Sequence, residues 1–168
     1  MRRILYTIGY EGADIGAFLS TLDACGIEQL LDIRDVPVSR KPGFSKSVLE
    51  TKLRDRGIDY AHLKALGDPK PGREAMRRGD YPAFLEIYTK HLASDAAQEA
   101  LGAAVAIAGA RVSVLLCFER SPKECHRTIV AAEMSELGDF EIRNIGVNAA
   151  PTPARLLGFH TGLAALNL

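Results

Sequence analysis

The side chains best suited to chemistry lie in one segment of the chain, residues 112–127. An apolar run there predicts a buried strand, whose period of two places Cys117 and Glu119 on the same side at its carboxyl end. A capping box with proline at the first helical position then predicts a helix that carries His126 and Arg127 in its first two turns. Because cations are disfavoured at a helix amino terminus, their clustering there indicates either a bound anion or neutralisation by neighbouring glutamates.

The same segment also fits a chemistry based on thiols or a metal. A thiolate of Cys117 facing a helix amino terminus would have a depressed pKa and would act as a nucleophile, with His126 as the base. Cys125 fits a small buried residue, but Cys117, Cys125 and His126 together would also offer ligands to zinc, with two ligands adjacent and a fourth missing. Asp32 and Glu119 are ligand types that divalent metals accept, although their spacing does not indicate a site. The metal therefore stays unknown, and the sequence requires no cofactor.

A second set of candidate residues follows an earlier predicted strand. Asp32 and Arg34 share one face of that strand by period two, which indicates either a structural ion pair or part of a site. The following loop, residues 34–46, combines cations and hydroxyls with Phe44, groups that bind phosphate, add hydrogen bonds and stack on a base. A solvated basic loop is the alternative interpretation.

Together these segments define the candidate site at the carboxyl ends of predicted strands, where ligands collect in open parallel sheets. The candidate catalytic residues are Glu119, His126 and Cys117. The candidate substrate- or anion-binding residues are Tyr10, Asp32, Arg34, Ser39, Arg40, Lys46, Cys125 and Arg127.

The charge distribution limits the kind of partner. The chain holds 21 Lys and Arg and 21 Asp and Glu, so its formal net charge of zero excludes a bulk polycation that coats nucleic acid or anionic lipid. The charges are nevertheless uneven, because residues 34–80 hold 12 basic and 7 acidic side chains, a net charge of +5. The sequence therefore predicts one localised anion site.

These candidate residues need a scaffold, and the hydrophobic pattern predicts one. Apolar runs alternate with segments of helical period, which favours a single-domain α/β fold: a three-layer, Rossmann-like sandwich with a mainly parallel five-stranded sheet and helices on both faces. The predicted strands span residues 3–8, 28–33, 58–63, 111–118 and 140–145. The predicted helices span residues 14–24, 46–56, 82–92, 95–108 and 122–137. An irregular loop over residues 66–80 would act as a lid.

Further expectations concern the domain limits and the compartment. We predict an α/β domain over residues 1–147 and a C-terminal extension, residues 148–168, that packs on the domain or forms a homodimer contact. Three cysteines match neither a disulfide framework nor a zinc ribbon, which favours the reducing cytoplasm. No stretch approaches the roughly 18 apolar residues of a spanning helix, and the first residues fail as a signal peptide, so no membrane partner is expected.

Several motifs, in a fixed order along the chain, are similar to those of a known family. They are TIGYEG at 7–12, DIR at 32–34, PVSRKPGFSK at 37–46, YAHL at 60–63, LGDPK at 66–70, CFER at 117–120 and CHR at 125–127. This set resembles the bacterial Domain of Unknown Function 488 family over roughly residues 3–146. The resemblance implies a compact α/β protein with a polar cluster drawn from these motifs, and it implies no known reaction. Many members have His-Ser where this chain has Tyr10 and Glu11, so no role of that histidine is carried over.

Three functional hypotheses follow from the sequence. The leading one is an anion-recognising protein that binds or processes a phosphate-bearing small molecule, a nucleotide or a nucleic acid, with Glu119 orienting an arginine or acting as acid or base. The second is a thiol- or metal-dependent enzyme centred on Cys117, Cys125 and His126. The third is a non-catalytic nucleic-acid adaptor that uses residues 34–80. Whether the protein is an enzyme stays open at this point.

Overall fold

Within residues 2–147, which the structure describes, five apolar segments form strands and six segments form α-helices. The strands of this computed structural model are β1 (Arg3–Gly9), β2 (Gln29–Asp32), β3 (Asp59–His62), β4 (Ser113–Cys117) and β5 (Phe140–Ile145). The helices are α1 (Ile15–Ala24), α2 (Lys46–Arg54), α3 (Lys70–Arg77), α4 (Tyr81–Leu92), α5 (Asp95–Ala110) and α6 (Arg127–Gly138). The predicted C-terminal extension, residues 148–168, lies outside the described residues.

The strands form one sheet in the order β3-β2-β4-β1-β5, and every neighbouring pair is parallel. β4 lies at the centre, and all of its residues are buried. β1 and β2 are consecutive along the chain but do not pair, because β4 lies between them. The parallel five-stranded sheet predicted from the apolar runs is therefore confirmed.

The helices cover both faces of the sheet, and alternate residues of each strand enter the two cores. On one face, Ile8 and Leu30 pack with side chains of α1 and α2. On the other face, Leu5, Leu31 and Leu115 pack with side chains of α3, α4, α5 and α6. The predicted α/β fold is thereby confirmed. None of the helices in residues 2–147 is long and apolar enough to cross a membrane.

Helix α3 corrects the prediction of an irregular lid over residues 66–80. Pro71 lies in the first turn of α3, where the missing amide hydrogen has no intrahelical partner to lose. Gly79, with a φ of 74°, follows the end of the helix in the left-handed conformation that glycine adopts without strain. The proline and glycine residues therefore mark the two ends of a helix in this segment.

The helix predicted over residues 122–137 is divided in the structure. A 3-10 turn, Pro122–Glu124, precedes α6, and the extended backbone of Cys125 (φ −138°, ψ 137°) separates the two. His126 therefore precedes α6, and Arg127 is its first residue. The predicted helix start at residue 122 is therefore wrong, whereas the prediction that Arg127 lies in the first two turns of a helix is confirmed.

The carboxyl end of β1 closely approaches the loop after β4 at Gly9. A Cβ at this position would overlap the backbone carbonyl of Glu119 and would lie 3.0 Å from Arg127 Nη1. Two residues further on, the Glu11 amide donates to the Phe118 carbonyl oxygen at 2.9 Å. Glycine is therefore required at this position so that the β4 loop can lie against β1.

We expect Gly9→Ala to lower the free energy of unfolding by about 1–3 kcal/mol, because the added methyl group displaces the Glu119 backbone. Urea denaturation measures this change. Gly102→Ala is the matched control, since Gly102 is exposed within α5 and a Cβ there meets nothing within 4 Å. The control should raise stability by up to about 1 kcal/mol. Equal effects of the two substitutions would contradict the proposed steric constraint.

Candidate functional site

A cleft of about 1130 Å³ lies at the carboxyl edge of the sheet. Loops that follow β1, β2, β3 and β4 all contribute to its walls. The sequence-predicted site residues that line this cleft are Tyr10, Arg34, Ser39, Arg40, Cys117, Glu119 and His126. Asp32 does not line the cleft but accepts a hydrogen bond from Arg34, which does. Lys46, Cys125 and Arg127 are also not among the lining residues.

Asp32 and Arg34 form a buried ion pair at the end of β2. Arg34 Nη2 and Nε donate to the two carboxylate oxygens of Asp32 at 2.6 and 2.8 Å. Arg34 Nη1 donates to the Tyr10 hydroxyl at 3.1 Å and to the Phe44 carbonyl at 2.8 Å, while the Tyr60 hydroxyl donates to Asp32 at 2.6 Å. Burial opposes the charge of Arg34, but the hydrogen bonds and charge of Asp32 prevail and raise the Arg34 pKa. The structural ion pair is therefore confirmed, and the Arg34 guanidinium is directed mainly at protein partners.

Arg127 is buried and is held by three internal acceptors. Its Nε donates to Thr7 Oγ1 at 3.2 Å, its Nη1 to the Glu119 carbonyl, and its Nη2 to the Arg120 carbonyl at 3.1 Å. The residue is only 1% exposed and does not line the cleft. Each guanidinium nitrogen of Arg127 binds a group that anchors the β4 loop to β1, and the predicted anion contact of this residue stays a prediction.

Cys117, Cys125 and His126 meet at the floor of the cleft. Cys117 Sγ donates to Glu119 Oε2 at 2.8 Å and lies 3.7 Å from His126 Nδ1, while Cys125 Sγ lies 4.0 Å from the same nitrogen. His126 Nε2 lies 2.9 Å from the Ile33 carbonyl oxygen, so Nε2 carries a hydrogen and Nδ1 faces the two sulfurs. Both ring nitrogens of His126 thus have protein partners, and its predicted role as an anion ligand stays a prediction.

Burial raises the pKa of both thiols in this cluster. For Cys117, burial is the largest cause and the negative charge of Glu119 adds to it. For Cys125, burial is again the largest cause, and the neighbouring Cys117 sulfur adds to it. The depressed pKa predicted for Cys117 is therefore wrong, because this thiol lies beside a carboxylate in a buried environment. A free thiolate at neutral pH is disfavoured here.

Asp68 is a cleft residue that is absent from the sequence-predicted set. Its side chain is 7% exposed, and its Oδ1 has no hydrogen-bond partner within residues 2–147. Burial raises its pKa to about 6, although His126 and, to a smaller extent, Arg73 oppose this shift. Gly72 in α3 packs against Oδ1, where a Cβ would overlap that oxygen. The signal available in the sequence was the LGDPK motif, residues 66–70, which contributed only to the family resemblance.

Cations surround the mouth of the cleft, of which Arg40 and Arg77 are exposed and Lys41 is half-buried. Arg40 and Lys41 follow β2, and Arg77 lies in α3; these three residues are called the rim cations below. They make no salt bridge within the part of the chain that the structure describes. Arg73, which also lines the cleft, is instead paired with Asp35 at 2.6 Å. The rim therefore carries positive charge that no described carboxylate balances directly.

Two other predicted loop residues have different positions. Ser39 lines the cleft, where its hydroxyl accepts a hydrogen bond from the Lys41 amide at 3.1 Å and its own amide donates to Ser45 Oγ at 3.1 Å. Lys46 begins α2, is exposed and lies outside the lining residues. Ser39 thus shapes the loop that carries two rim cations, and the predicted contact of Lys46 with a ligand stays a prediction.

Large apolar side chains are exposed at the same mouth. They are Val36, Val38, Tyr81 and Phe118, and all four line the cleft. Grouped exposed apolar side chains are typical of surfaces that bind a ligand or a partner. The cleft therefore combines an apolar and aromatic wall with a cationic rim.

The fold and the cleft define a class of protein: a parallel α/β domain with a candidate ligand site built by the loops at the carboxyl edge of its sheet. Within this class, the chain belongs to the family described as Domain of unknown function DUF488, whose family model matches residues 14–134. This match confirms the resemblance of the ordered motifs. No curated protein and no solved structure matches the chain. The family description carries no reaction, so the function has to be inferred from the site.

We expect Arg34→Met to lower the free energy of unfolding by about 3–5 kcal/mol, because it leaves the Asp32 carboxylate buried without its partner. Arg56→Met is the matched control, since Arg56 and Asp23 form a salt bridge in which both side chains are at least one-third exposed. The control should cost about 0–1 kcal/mol. Urea denaturation of both variants measures the difference, and an Arg34→Met cost as small as that of the control would contradict the structural role.

We expect Asp68→Asn to change how stability depends on pH. The folded state holds the Asp68 proton more tightly than the unfolded chain, so this contribution to stability is complete below about pH 4 and is lost as the pH rises to about 6. As the pH rises across this window, the unfolding free energy of the variant should therefore increase relative to that of the wild type by up to about 3 kcal/mol. Urea denaturation at several pH values tests this, with Asp55→Asn at an exposed site as the control. A pH-independent difference for Asp68→Asn would contradict the burial effect.

Proposed function

We propose that the cleft binds a phosphate-bearing ligand with a flat base: a nucleotide or a segment of nucleic acid. The observation that carries this proposal is the set of rim cations, Arg40, Lys41 and Arg77, which make no salt bridge within residues 2–147. Like charges around one mouth repel one another, and a bound anion relieves that repulsion. Guanidinium groups bind phosphate oxygens bidentately, and a lysine adds a point charge.

The position of the acidic residues supports a defined orientation of this ligand. The buried Asp68 and the half-buried Glu119 lie deeper in the cleft than Arg40 and Arg77, the two exposed rim cations. Carboxylates at this depth would repel a phosphate, whereas the rim attracts it. The phosphate therefore lies at the rim, and the uncharged part of the ligand points inward. This arrangement replaces the predicted one, in which Arg127 and His126 bind the anion at the floor.

The apolar wall supplies a surface for the uncharged part. Tyr81 and Phe118 are exposed aromatic residues of the cleft, and Val36 and Val38 extend the apolar area beside the rim. Every nucleobase has a flat face that stacks on an aromatic ring, without requiring one particular base sequence. A phosphate alone would leave this wall in water, so the combination of wall and rim favours a nucleotide unit over inorganic phosphate.

The floor supports processing of the ligand as well as binding. Glu119 lines the cleft, and its carboxylate accepts a hydrogen bond from Cys117 while that sulfur lies 3.7 Å from the His126 ring. Carboxylate and imidazole groups are the side chains most used for proton transfer in enzymes. Glu119 is therefore proposed as the acid or base that acts on the inward part of the ligand.

The state of the cysteines supports the cytoplasm as the compartment of this function. Cys25, Cys117 and Cys125 are all free, although the last two lie close together. Neighbouring thiols persist in a reducing compartment, where disulfides are rare. We therefore place the proposed ligand among cytoplasmic nucleotides and nucleic acids.

Titration of the full chain with inorganic phosphate, a mononucleotide and a short single-stranded oligonucleotide tests the proposal, with isothermal titration calorimetry as the readout. We expect R40A/K41A/R77A to weaken binding by at least about tenfold, since hydrogen bonds to charged groups contribute about 1.5–3 kcal/mol each. K52A/R54A/K90A removes the same number of cations outside the cleft and serves as the matched control. The control should leave the affinity within about twofold of the wild type, because distant exposed charges are largely screened by salt.

The outcomes separate the hypotheses. Binding of the mononucleotide that is lost in the rim variant and kept in the control supports the proposed site. A preference for the oligonucleotide, with an affinity that falls steeply with salt, identifies nucleic acid as the ligand class. Equal losses in both triple variants would show that only overall charge matters, and no binding of any of the three ligands by the wild type would overturn the proposal.

A further inference from the structure

The ligating atoms of Cys117, Cys125 and His126 form a compact group at the cleft floor. Both sulfurs and one ring nitrogen of His126 lie within 4.8 Å of one another, and all three residues are buried. We propose that these residues bind a zinc ion through Cys117 Sγ, Cys125 Sγ and His126 Nδ1. This inference does not depend on the phosphate ligand proposed above, because the metal ligands and the rim cations are different residues.

The distances agree with a tetrahedral zinc site. Bond lengths of about 2.3 Å from zinc to sulfur and about 2.0–2.1 Å to nitrogen place a sulfur and a nitrogen ligand about 3.6 Å apart. His126 Nδ1 lies 3.7 Å from Cys117 Sγ and 4.0 Å from Cys125 Sγ. These two nitrogen–sulfur distances therefore need to change by only a few tenths of an ångström, and the two sulfurs lie within 4.8 Å of each other.

The surroundings of His126 orient it as a metal ligand. Its Nε2 hydrogen is directed at the Ile33 carbonyl at 2.9 Å, which leaves the Nδ1 lone pair facing the two sulfurs. A ligating histidine almost always donates its other ring hydrogen to a carbonyl, a carboxylate or water, because this bond sets the tautomer and the ring orientation. Ile33 thus supplies the outer partner that a metal-bound His126 requires.

The sulfurs are held by separate parts of the chain. Cys117 ends β4, and Cys125 lies in the extended break before α6, where its sulfur accepts a hydrogen bond from the Arg127 amide at 3.5 Å. Two thiolates balance the charge of a zinc ion, so the bound cluster is neutral in a buried environment. Soft sulfur ligands with one imidazole also favour zinc over magnesium or calcium.

The site has one side open to the cleft. Cys117 and His126 line the cleft while Cys125 lies behind them, so a fourth coordination position faces the cleft beside Glu119. Three protein ligands with an open position are typical of catalytic zinc, whereas structural zinc has four. We therefore expect water or a ligand atom at the fourth position, next to the Glu119 carboxylate.

Metal analysis of the full chain tests this inference. Bound metal is removed from the reduced protein with a chelator, Zn²⁺ is added, and the zinc affinity is compared with those of C117S and C125S. Replacement of zinc by Co²⁺ then reports the ligand type from the absorption spectrum. We expect one zinc per wild-type chain and a thiolate-to-Co²⁺ charge-transfer band with visible bands of tetrahedral cobalt. Each variant should lose more affinity than the roughly 10–100-fold that loss of an outer partner costs.

Two control variants sharpen the result. C25S removes a free cysteine at the end of α1, away from the cluster, and should keep full zinc binding. R40A/K41A/R77A should also keep zinc, which separates failure of the metal site from failure of the phosphate site. If C117S or C125S does not fold, alkylation of the wild type by iodoacetamide tests the inference instead. Zinc should lower the alkylation rates of Cys117 and Cys125 and leave the rate of Cys25 unchanged.

Several results would overturn the inference. The first is equal zinc binding by the wild type and the C117S/C125S double variant. The second is a cobalt spectrum that lacks thiolate charge transfer. The third is an alkylation rate of Cys117 and Cys125 that does not change when zinc is added.

Discussion

The Asp32 carboxylate and the Arg34 guanidinium lie almost without solvent, and buried charges persist only where their hydrogen-bonding groups are matched. The partners that match them come from four parts of the chain: Tyr10 after β1, β2 itself, the Phe44 carbonyl in the following loop, and Tyr60 in β3. Satisfying one ion pair therefore positions the ends of three strands and the loop that carries two rim cations. The cleft is organised before any ligand arrives, because the same contacts that stabilise the fold also shape its walls.

The arginines of the site divide into two groups by burial. Arg34 and Arg127 are buried and bind protein groups, whereas Arg40 and Arg77 are exposed at the mouth. Arg127 is notable because its acceptors include two main-chain carbonyls of the loop after β4, and this loop carries Glu119. The sequence predicted that Glu119 orients an arginine. In the structure, the main-chain carbonyl of Glu119 accepts a hydrogen bond from Arg127. Arginine near a site is thus informative about ligand binding only once its internal partners are known.

The sequence predicted those features that depend on local pattern. Apolar runs indicated every strand, and period two placed Asp32 and Arg34 on one face, where they pair. The features that were missed depend on long-range contacts. The partners of Arg127 are backbone groups that no residue type reveals, and Asp68 is notable only because the fold leaves one of its oxygens without a partner. The break at Cys125 was missed for a related reason, since a capping signal marks a helix start but does not show that the helix is interrupted one turn later.

The central position of β4 has a consequence for how the chain is made. A ribosome releases β1 first, but both sheet neighbours of β1 belong to the last third of the described chain, since β4 begins at Ser113 and β5 at Phe140. Until β4 and β5 emerge, the backbone groups along both edges of the apolar strand β1 have no pairing partner. Late pairing of this kind makes folding slow and the nascent chain prone to aggregation. Cys117 leaves the ribosome with β4, shortly before Cys125 and His126. The sheet and its sulfur cluster are therefore completed in the same late stage of synthesis, and no earlier fragment contains either.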